Sequence, residues 1–364
     1  MRKALHLFRF LFLFILLCTC MSCSVSTVSL DIMRPAEIDV PNHIQSILII
    51  NRSLPSKNHQ AENILDGIFS GEGVGDDKKG SEMCIQGLKH VLSITLNNQL
   101  RFNIVDEDNL SLDIEFKGTG TGEFPKPIKW KKIDKLFKNQ NIDGLLVLET
   151  FDSRSSIVNN GLVEKNGFFK KEKSKQQLIE AALHIEIQAG WRIYDIQNHK
   201  IIDKNIFLDQ KIFSNRGVTF EHAKQKLPNK RSAISKTGLF AGEQYGFRIS
   251  PKNDRVKRSF YIKAKKSFDI ENEQFKTASQ FIKDNNFEKS AQIWTSFVNH
   301  DDSQIAGRAC FNMAVVCELK NKYNLAMDWV KKSISYDNPK AKDYFSILGN
   351  RKAEIKKIKE QLKK

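Results

Sequence analysis

The chain reads as an α+β or α/β module, a mixed β-sheet with flanking helices and a long antiparallel hairpin, followed by an all-α tail of helical repeats. Three patterns predict this. Strand-like and helix-like segments alternate between residues 44 and 149, a strict two-residue alternation runs from Leu183 to Tyr194, and the tail matches itself at an offset of 36 residues.

The first segment precedes the fold. Arg2-Lys3, an apolar stretch from Phe10 to Leu17 and a cysteine cluster ending at Cys23 have the order of an export signal. The stretch is shorter than the roughly 20 residues of a bilayer crossing, and Arg9 breaks the run. Ser22-Cys23 resembles a bacterial lipobox, in which the cysteine becomes the diacylated new N-terminus; Leu17-Cys18-Thr19-Cys20 is a second frame. The resemblance places the lipid on Cys23, with Cys20 left open. It implies a signal peptide over 1–22 and an outer-membrane lipoprotein facing the periplasm, since no Asp follows Cys23. Two acyl chains at about 0.8 kcal/mol per buried methylene suffice for stable anchoring.

Residues 23–42 read as a tether and extended lead-in, 43–265 as the α/β module and 268–364 as the helical domain. The unbroken run Ile47–Ile50 suits a central strand buried on both faces. Gly67, Gly71, Gly73, Gly75 and Gly80 predict a loop over 53–80, and Ile85, Leu88, Val91, Leu92 and Leu96 a helix over 83–99. A short strand at 102–106, an edge element over 108–116, a helix over 128–139 and a second buried strand at 142–149 follow. A charged loop is expected over 159–175. After it, Leu183, Ile185, Ile187, Ala189, Trp191 and Ile193 alternate with polar residues, and Asn198-His199 turns the chain into a partner strand at 201–208. Pro228 and Pro251 bracket a basic helix over 232–249.

Charge is unevenly spread. The formal total is +16, yet residues 24–215 carry −2 and residues 216–266 carry +11. Such a basic stretch in an exported protein suits anionic headgroups, acidic wall polymer or an acidic protein; nucleic acid is not an expected partner. Cys84, Cys310 and Cys317 are an odd remainder without a disulfide framework. Cys310 and Cys317 sit seven residues apart on one expected helix, about 10 Å along its axis, too far to bridge.

The segments Ile47–Asn51, Phe102–Glu107, Ile142–Val147, Trp191–Asp195 and Lys200–Asp203 together resemble the small α/β domain of periplasmic proteins related to the N-terminal domain of TolB and to the LpoB and CsgG lipoproteins. Arg248-Ile-Ser-Pro, Arg255-Val-Lys-Arg-Ser-Phe-Tyr and Arg34-Pro-Ala-Glu are similar to uncharacterised Bacteroidota lipoproteins with a domain of unknown function. That resemblance implies the same module joined to a helical-repeat tail. In the tail, Ala278 and Ala314, Phe287 and Tyr323, Ser290 and Ala326, and Trp294 and Val330 pair at the 36-residue offset. The pattern resembles tetratricopeptide repeats (TPR), with small residues where helices approach and a basic last helix over 344–362 as a cap.

Catalytic motifs are largely missing from the sequence. Gly118-Thr-Gly-Thr-Gly122 lacks the Gly-Lys-Ser/Thr ending of a phosphate loop, His184 and Glu186 have no third ligand at a recognisable spacing, and no Gly-x-Ser-x-Gly occurs. Cys84 reads as a core thiol, and Trp191, Trp294 and Trp329 as packing residues. Tyr245, Arg248, Arg255, Lys257, Arg258 and Tyr261 mix rings and cations, the composition of protein recognition surfaces, and are the expected partner-binding residues. The expectation is a non-enzymatic envelope lipoprotein, without metal or cofactor, that docks a periplasmic or membrane protein. The alternative is an envelope enzyme acting on wall or glycan, which would require a polar pocket with perturbed titrating groups. The oligomeric state stays open.

Overall fold

The structure, a computed structural model, describes residues 24–53, 75–96, 98–105, 124–137, 140–164 and 177–363. Cys20, Cys23, the expected edge element over 108–116, Gly118–Gly122 and the stretch 165–175 lie outside them. The described residues group into two compact units, 35–252 with 358–363 and 24–34 with 253–357.

The first unit is built on a five-stranded mixed sheet in the order β3-β2-β4-β5-β6. Strand β2 (Ser46–Asn51) is parallel to β3 (Asn103–Val105) and to β4 (Gly144–Glu164). Strands β5 (Gln177–Asp195) and β6 (Lys200–Gly217) continue antiparallel from β4. Ile47 and Ile49 join one apolar cluster with α1 (Asp76–Leu92) and α4 (Lys230–Ile249), whereas Leu48 and Ile50 join another with α2 (Trp130–Phe137). Burial on both faces, expected from the unbroken apolar run, therefore has a partner layer on each side. Each such side chain contributes about 1.5–3 kcal/mol.

Two expectations are corrected. The loop expected over 53–80 is already helix from Asp76, preceded by Gly75 at φ +87°. Its glycines let backbones touch: a Cβ on Gly87 would overlap the Leu239 carbonyl of α4, and one on Gly242 the Cys84 carbonyl of α1. The loop expected from Asn159 is strand as far as Glu164, paired with 177–181 through a bulge at Gly161, whose φ of +79° and hydrogen bond from its N–H to Asn159 Oδ1 (2.9 Å) supply the irregularity.

Between β6 and α4 lies the short α3 (Phe220–Gln225), capped by the Thr219 side chain. Asn229 accepts from the Ser232 N–H at 2.8 Å and starts α4 two residues earlier than expected. The last residues of the chain also belong here: Gln361 Nε2 donates to the Ala36 carbonyl at 3.1 Å while its Oε1 accepts from the Ala36 N–H at 2.9 Å.

The second unit contains a two-stranded sheet of β1 (Val25–Arg34) and β7 (Lys252–Tyr261, from its second residue) and the helices α5 (Asp269–Lys283), α6 (Phe287–Thr295), α7 (Ser303–Leu319), α8 (Tyr323–Ser335) and α9 (Ala341–Gln361, to residue 357). Sequence composition sets the break near residue 266, but β7 groups with the helices. The reason is Asn312, fully buried on α7, which accepts from the Tyr261 N–H and donates to its carbonyl, both at 2.7 Å.

The 36-residue offset is visible in the backbone. Asn285 and Asn321 both adopt left-handed φ, at 55° and 57°, and the hydrogen bonds Asn286 N–H to Phe281 carbonyl and Lys322 N–H to Cys317 carbonyl close equivalent turns. Ala278, Ala314, Ser290, Ala326, Trp294 and Val330 are all buried in one core. Among the described residues no helix is long and apolar enough to cross a membrane.

Candidate partner-binding surface

Six of the fourteen cations in the basic stretch are paired with acids elsewhere in the chain. Arg216 pairs with Glu180, Arg231 with Asp76, Arg248 with Glu37, Arg255 with Asp31, Arg258 with Glu318 and Lys265 with Asp302. Each acid comes from outside residues 216–266, so the local excess of +11 is substantially neutralised by chain distant in sequence. A block of charge in the sequence is thus a poor measure of the field at the surface.

The six expected binding residues are divided between the two units. Tyr245 and Arg248 belong to the first unit, and Arg255, Lys257, Arg258 and Tyr261 to the second. Tyr245 is core: its ring stacks on Trp191 at 4.5 Å and its hydroxyl donates to Asp203 at 2.9 Å. Tyr261 is core as well, with its hydroxyl on Asn338 Oδ1 at 2.9 Å. Arg258 makes a bidentate pair with the buried Glu318, which also accepts from the Tyr344 hydroxyl at 2.6 Å. Burial, reinforced by that carboxylate, pushes the Tyr344 hydroxyl far above its usual range. Of the six, Arg255 and Lys257 are exposed on β7, and Arg255 is held by Asp31 at 2.6 Å.

A second buried network lies where β2 ends, against the sixth residue of β4 and the last residues of β5. Glu149 and Arg192 form a fully buried pair; Arg52 joins through Glu149 Oε2 at 2.7 Å, and the Tyr194 hydroxyl donates to Oε1 at 3.0 Å. Arg192 also donates to the Pro125 carbonyl at 2.9 Å and lies over the Phe124 ring. Burial raises the Tyr194 hydroxyl to about 12. Every charge here has a structural partner, which describes a scaffold.

Cys84, Cys310 and Cys317 are free and buried, as the apolar helical positions imply. Burial pushes the Cys84 thiol far above its usual range and Cys310 to about 11, so neither is a thiolate at neutral pH. Among the described residues no three His, Cys, Asp or Glu converge as metal ligands. Asp302 caps α7, accepting from the Gln304 and Ile305 N–H groups.

Two features of the first unit face solvent. One is a cleft of about 200 Å³ between β6 and α4, lined by Phe207, Asp209, Gln244, Phe247, Arg248 and Lys252 among others. Burial lifts the Asp209 carboxyl to about 6, against the pull of Arg248. Arg248 stacks over Phe207 at 4.1 Å, and its Nε has no partner among the described residues. The other is the sheet face opposite α1 and α4. Where β4, β5 and β6 run past the end of β2, that face exposes Leu208 (66%), Ile212 (57%), Ile206 and Val158 around His184, Glu186 and Gln188. The alternation was readable in the sequence, since Ile206-Phe207-Leu208 and Ile212-Phe213 put apolar residues on both faces; ending the strand at 208 hid it.

Residues 44–261, all of this sheet and its helices, match the model of a domain of unknown function (DUF8603). The chain belongs to the DUF8603 family. Residues 276–360 match a second domain of unknown function (DUF6340), which spans the helices that follow. A search of curated proteins returns no match. The DUF8603 region thus contains both the open sheet face and the Asp209 cleft, and the DUF6340 region the repeated turns.

Proposed function

We propose that this protein is a non-catalytic cell-envelope lipoprotein, acylated at Cys23 and held at the periplasmic leaflet of the outer membrane, that acts as a protein-binding adaptor or assembly factor. The observation that carries the reading is the contrast within the described DUF8603 region: Glu149 and Arg192, fully buried, are spent in a structural pair, while one strand face leaves Leu208, Ile212, Ile206 and Val158 exposed to solvent. Exposed contiguous apolar surface suits contact with another macromolecule. The helical tail adds TPR-like repeated turns, and the likeness of the sequence to TolB, LpoB and CsgG domains is in keeping with an envelope role. Lys236, Lys257 and Lys266 are among the exposed cations that remain of the basic stretch.

A second reading, an envelope enzyme acting on wall or glycan, is favoured by the Asp209 cleft, because a carboxyl near neutral is suited to proton transfer. Glycan cleavage needs two carboxyls about 5–10 Å apart. The second carboxyl lining this cleft, Glu37, is paired with Arg248 at 2.7 Å, and Asp203, the other raised carboxyl on β6, lies six residues along the strand, about 20 Å away, tied to Tyr245. The adaptor reading is therefore preferred.

Crosslinking and pull-down from envelopes, comparing wild type, Cys23→Ala and a deletion from Phe268 onward, tests it. Partners captured by wild type should be lost on deletion, and Cys23→Ala should release the protein from membranes. Retention of every partner by the deletion rejects a docking role for the tail; an unmodified N-terminus beyond residue 23 rejects the anchor.

A further inference from the structure

Strand β6 ends the sheet, with β5 as its only strand neighbour among the described residues. In a strand the N–H and C=O of one residue point to the same side, and successive residues alternate. The Ile206 N–H donates to Asn205 Oδ1 (3.0 Å), the Arg216 N–H to Asn215 Oδ1 (2.9 Å), and the Arg216 carbonyl accepts from Lys226 Nζ (3.1 Å), so even-numbered residues face away from β5. Side chains thus plug this edge at both ends. Between the plugs, the outward backbone groups of Leu208, Gln210, Ile212 and Ser214 have no partner among the described residues.

The sequence between the plugs is self-complementary. Residues 205–215 read Asn-Ile-Phe-Leu-Asp-Gln-Lys-Ile-Phe-Ser-Asn. We propose that two copies of this chain join edge to edge through β6, antiparallel about a two-fold axis at Gln210. That register sets Leu208 against Ile212 of the second copy, Phe207 against Phe213 and Asp209 against Lys211, each pair occurring twice. Even residues meet even residues, as the free backbone groups require, giving about six backbone hydrogen bonds across the three central pairs. Moving the axis one residue either way sets Asp209 against Asp209 or Lys211 against Lys211, and directly opposed like charges are unfavourable. Pairing stops at the Asn plugs, before the cations Lys204 and Arg216 would meet.

Among the described residues neither charge forms a salt bridge, and Asp209 feels only the through-space pull of Arg248. Asp209 has no hydrogen bond among the described residues, and the Lys211 ammonium meets only the Phe240 ring, at 4.5 Å. Exposed Leu208 and Ile212 gain apolar neighbours in the dimer. The interface is isologous and closed, so it yields a dimer, not a fibre.

Sedimentation of the full chain in detergent, with disulfide trapping in membranes, tests the inference. Wild type should be a dimer. Lys211→Asp should weaken it about tenfold, and the Asp209→Lys, Lys211→Asp exchange should restore it. Gln210→Cys should form an intermolecular disulfide joining the two substituted positions, since paired Cα atoms lie about 5.5 Å apart. Leu208→Cys alone should not, its two copies being about 13 Å apart. A monomeric wild type, equal trapping at 208 and 210, or capture of a different protein at 210 without the homodimer would each overturn the proposal.

Discussion

Helices in both units pack through small residues, yet by different routes. Between α1 and α4 the contact is glycine backbone against backbone, with Gly87 under the Leu239 carbonyl and Gly242 under that of Cys84. In the tail, alanine and serine occupy the close positions, Ser290 donating to the Ala278 carbonyl at 2.9 Å, and the arrangement returns 36 residues later at Ala314 and Ala326. Alanine keeps helix propensity and leaves a periodic apolar stripe. Glycine costs roughly 1 kcal/mol of propensity and resembles a loop in sequence. Close approach in the first unit is therefore invisible without the fold, and in the tail it is visible from the repeat.

The largest expected effect breaks the glycine side of this contrast. Gly242→Val puts two methyls where a carbonyl already sits, so the α/β unit should lose its cooperative thermal transition. Ala314→Gly should lower tail stability by only about 1 kcal/mol in chemical denaturation. Next in size is the Glu149 network. Glu149→Leu leaves Arg192 buried and uncompensated and should cost about 3–5 kcal/mol, whereas adding Arg192→Met should recover much of that loss.

A smaller effect depends on pH. Burial would raise the Asp195 carboxyl, but hydrogen bonds from Asn198 and His43 outweigh it and hold the group below its ordinary value of 3.8. A depressed carboxyl stabilises above its unfolded pKa and loses that contribution as pH falls through the folded one. Asp195→Asn should therefore cost about 1–2 kcal/mol at neutral pH. Denaturation from pH 7 to 3 should show the difference from wild type shrinking below about pH 4. Smallest is the repeated turn: Asn321→Gly should be nearly neutral and Asn321→Val should cost about 1–2 kcal/mol, because only the former suits φ of 57°. Equal effects in both variants would remove the left-handed turn from the account.

Most of the fold was legible because the apolar patterns are strong. Ile47–Ile50, the alternation through Trp191 and the 36-residue offset all mark elements that the structure contains. Boundaries failed where glycine serves close packing, at Gly80 in α1, or a bulge, at Gly161 in β4. The binding residues were less legible. Tyr245 and Tyr261 look like surface residues beside cations, but whether a ring faces water depends on the layer packed over it, here Trp191 for one and Asn338 for the other. Conversely, Leu208 and Ile212 look like core, and their exposure follows from β4–β6 outrunning β2. Charge misled for a related reason: the acids that neutralise Arg231, Arg248 and Arg258 lie up to 211 positions away in sequence.

The account's central claim is that the molecule works by contact and not by bond-making. A photo-reactive residue placed at Leu208, the most exposed apolar position of β6, should form a covalent protein adduct in intact envelopes, and Leu208→Asp with Ile212→Asp should abolish binding without unfolding the chain. Absence of any adduct, together with turnover of a wall or glycan fragment that disappears in Asp209→Asn, would contradict it.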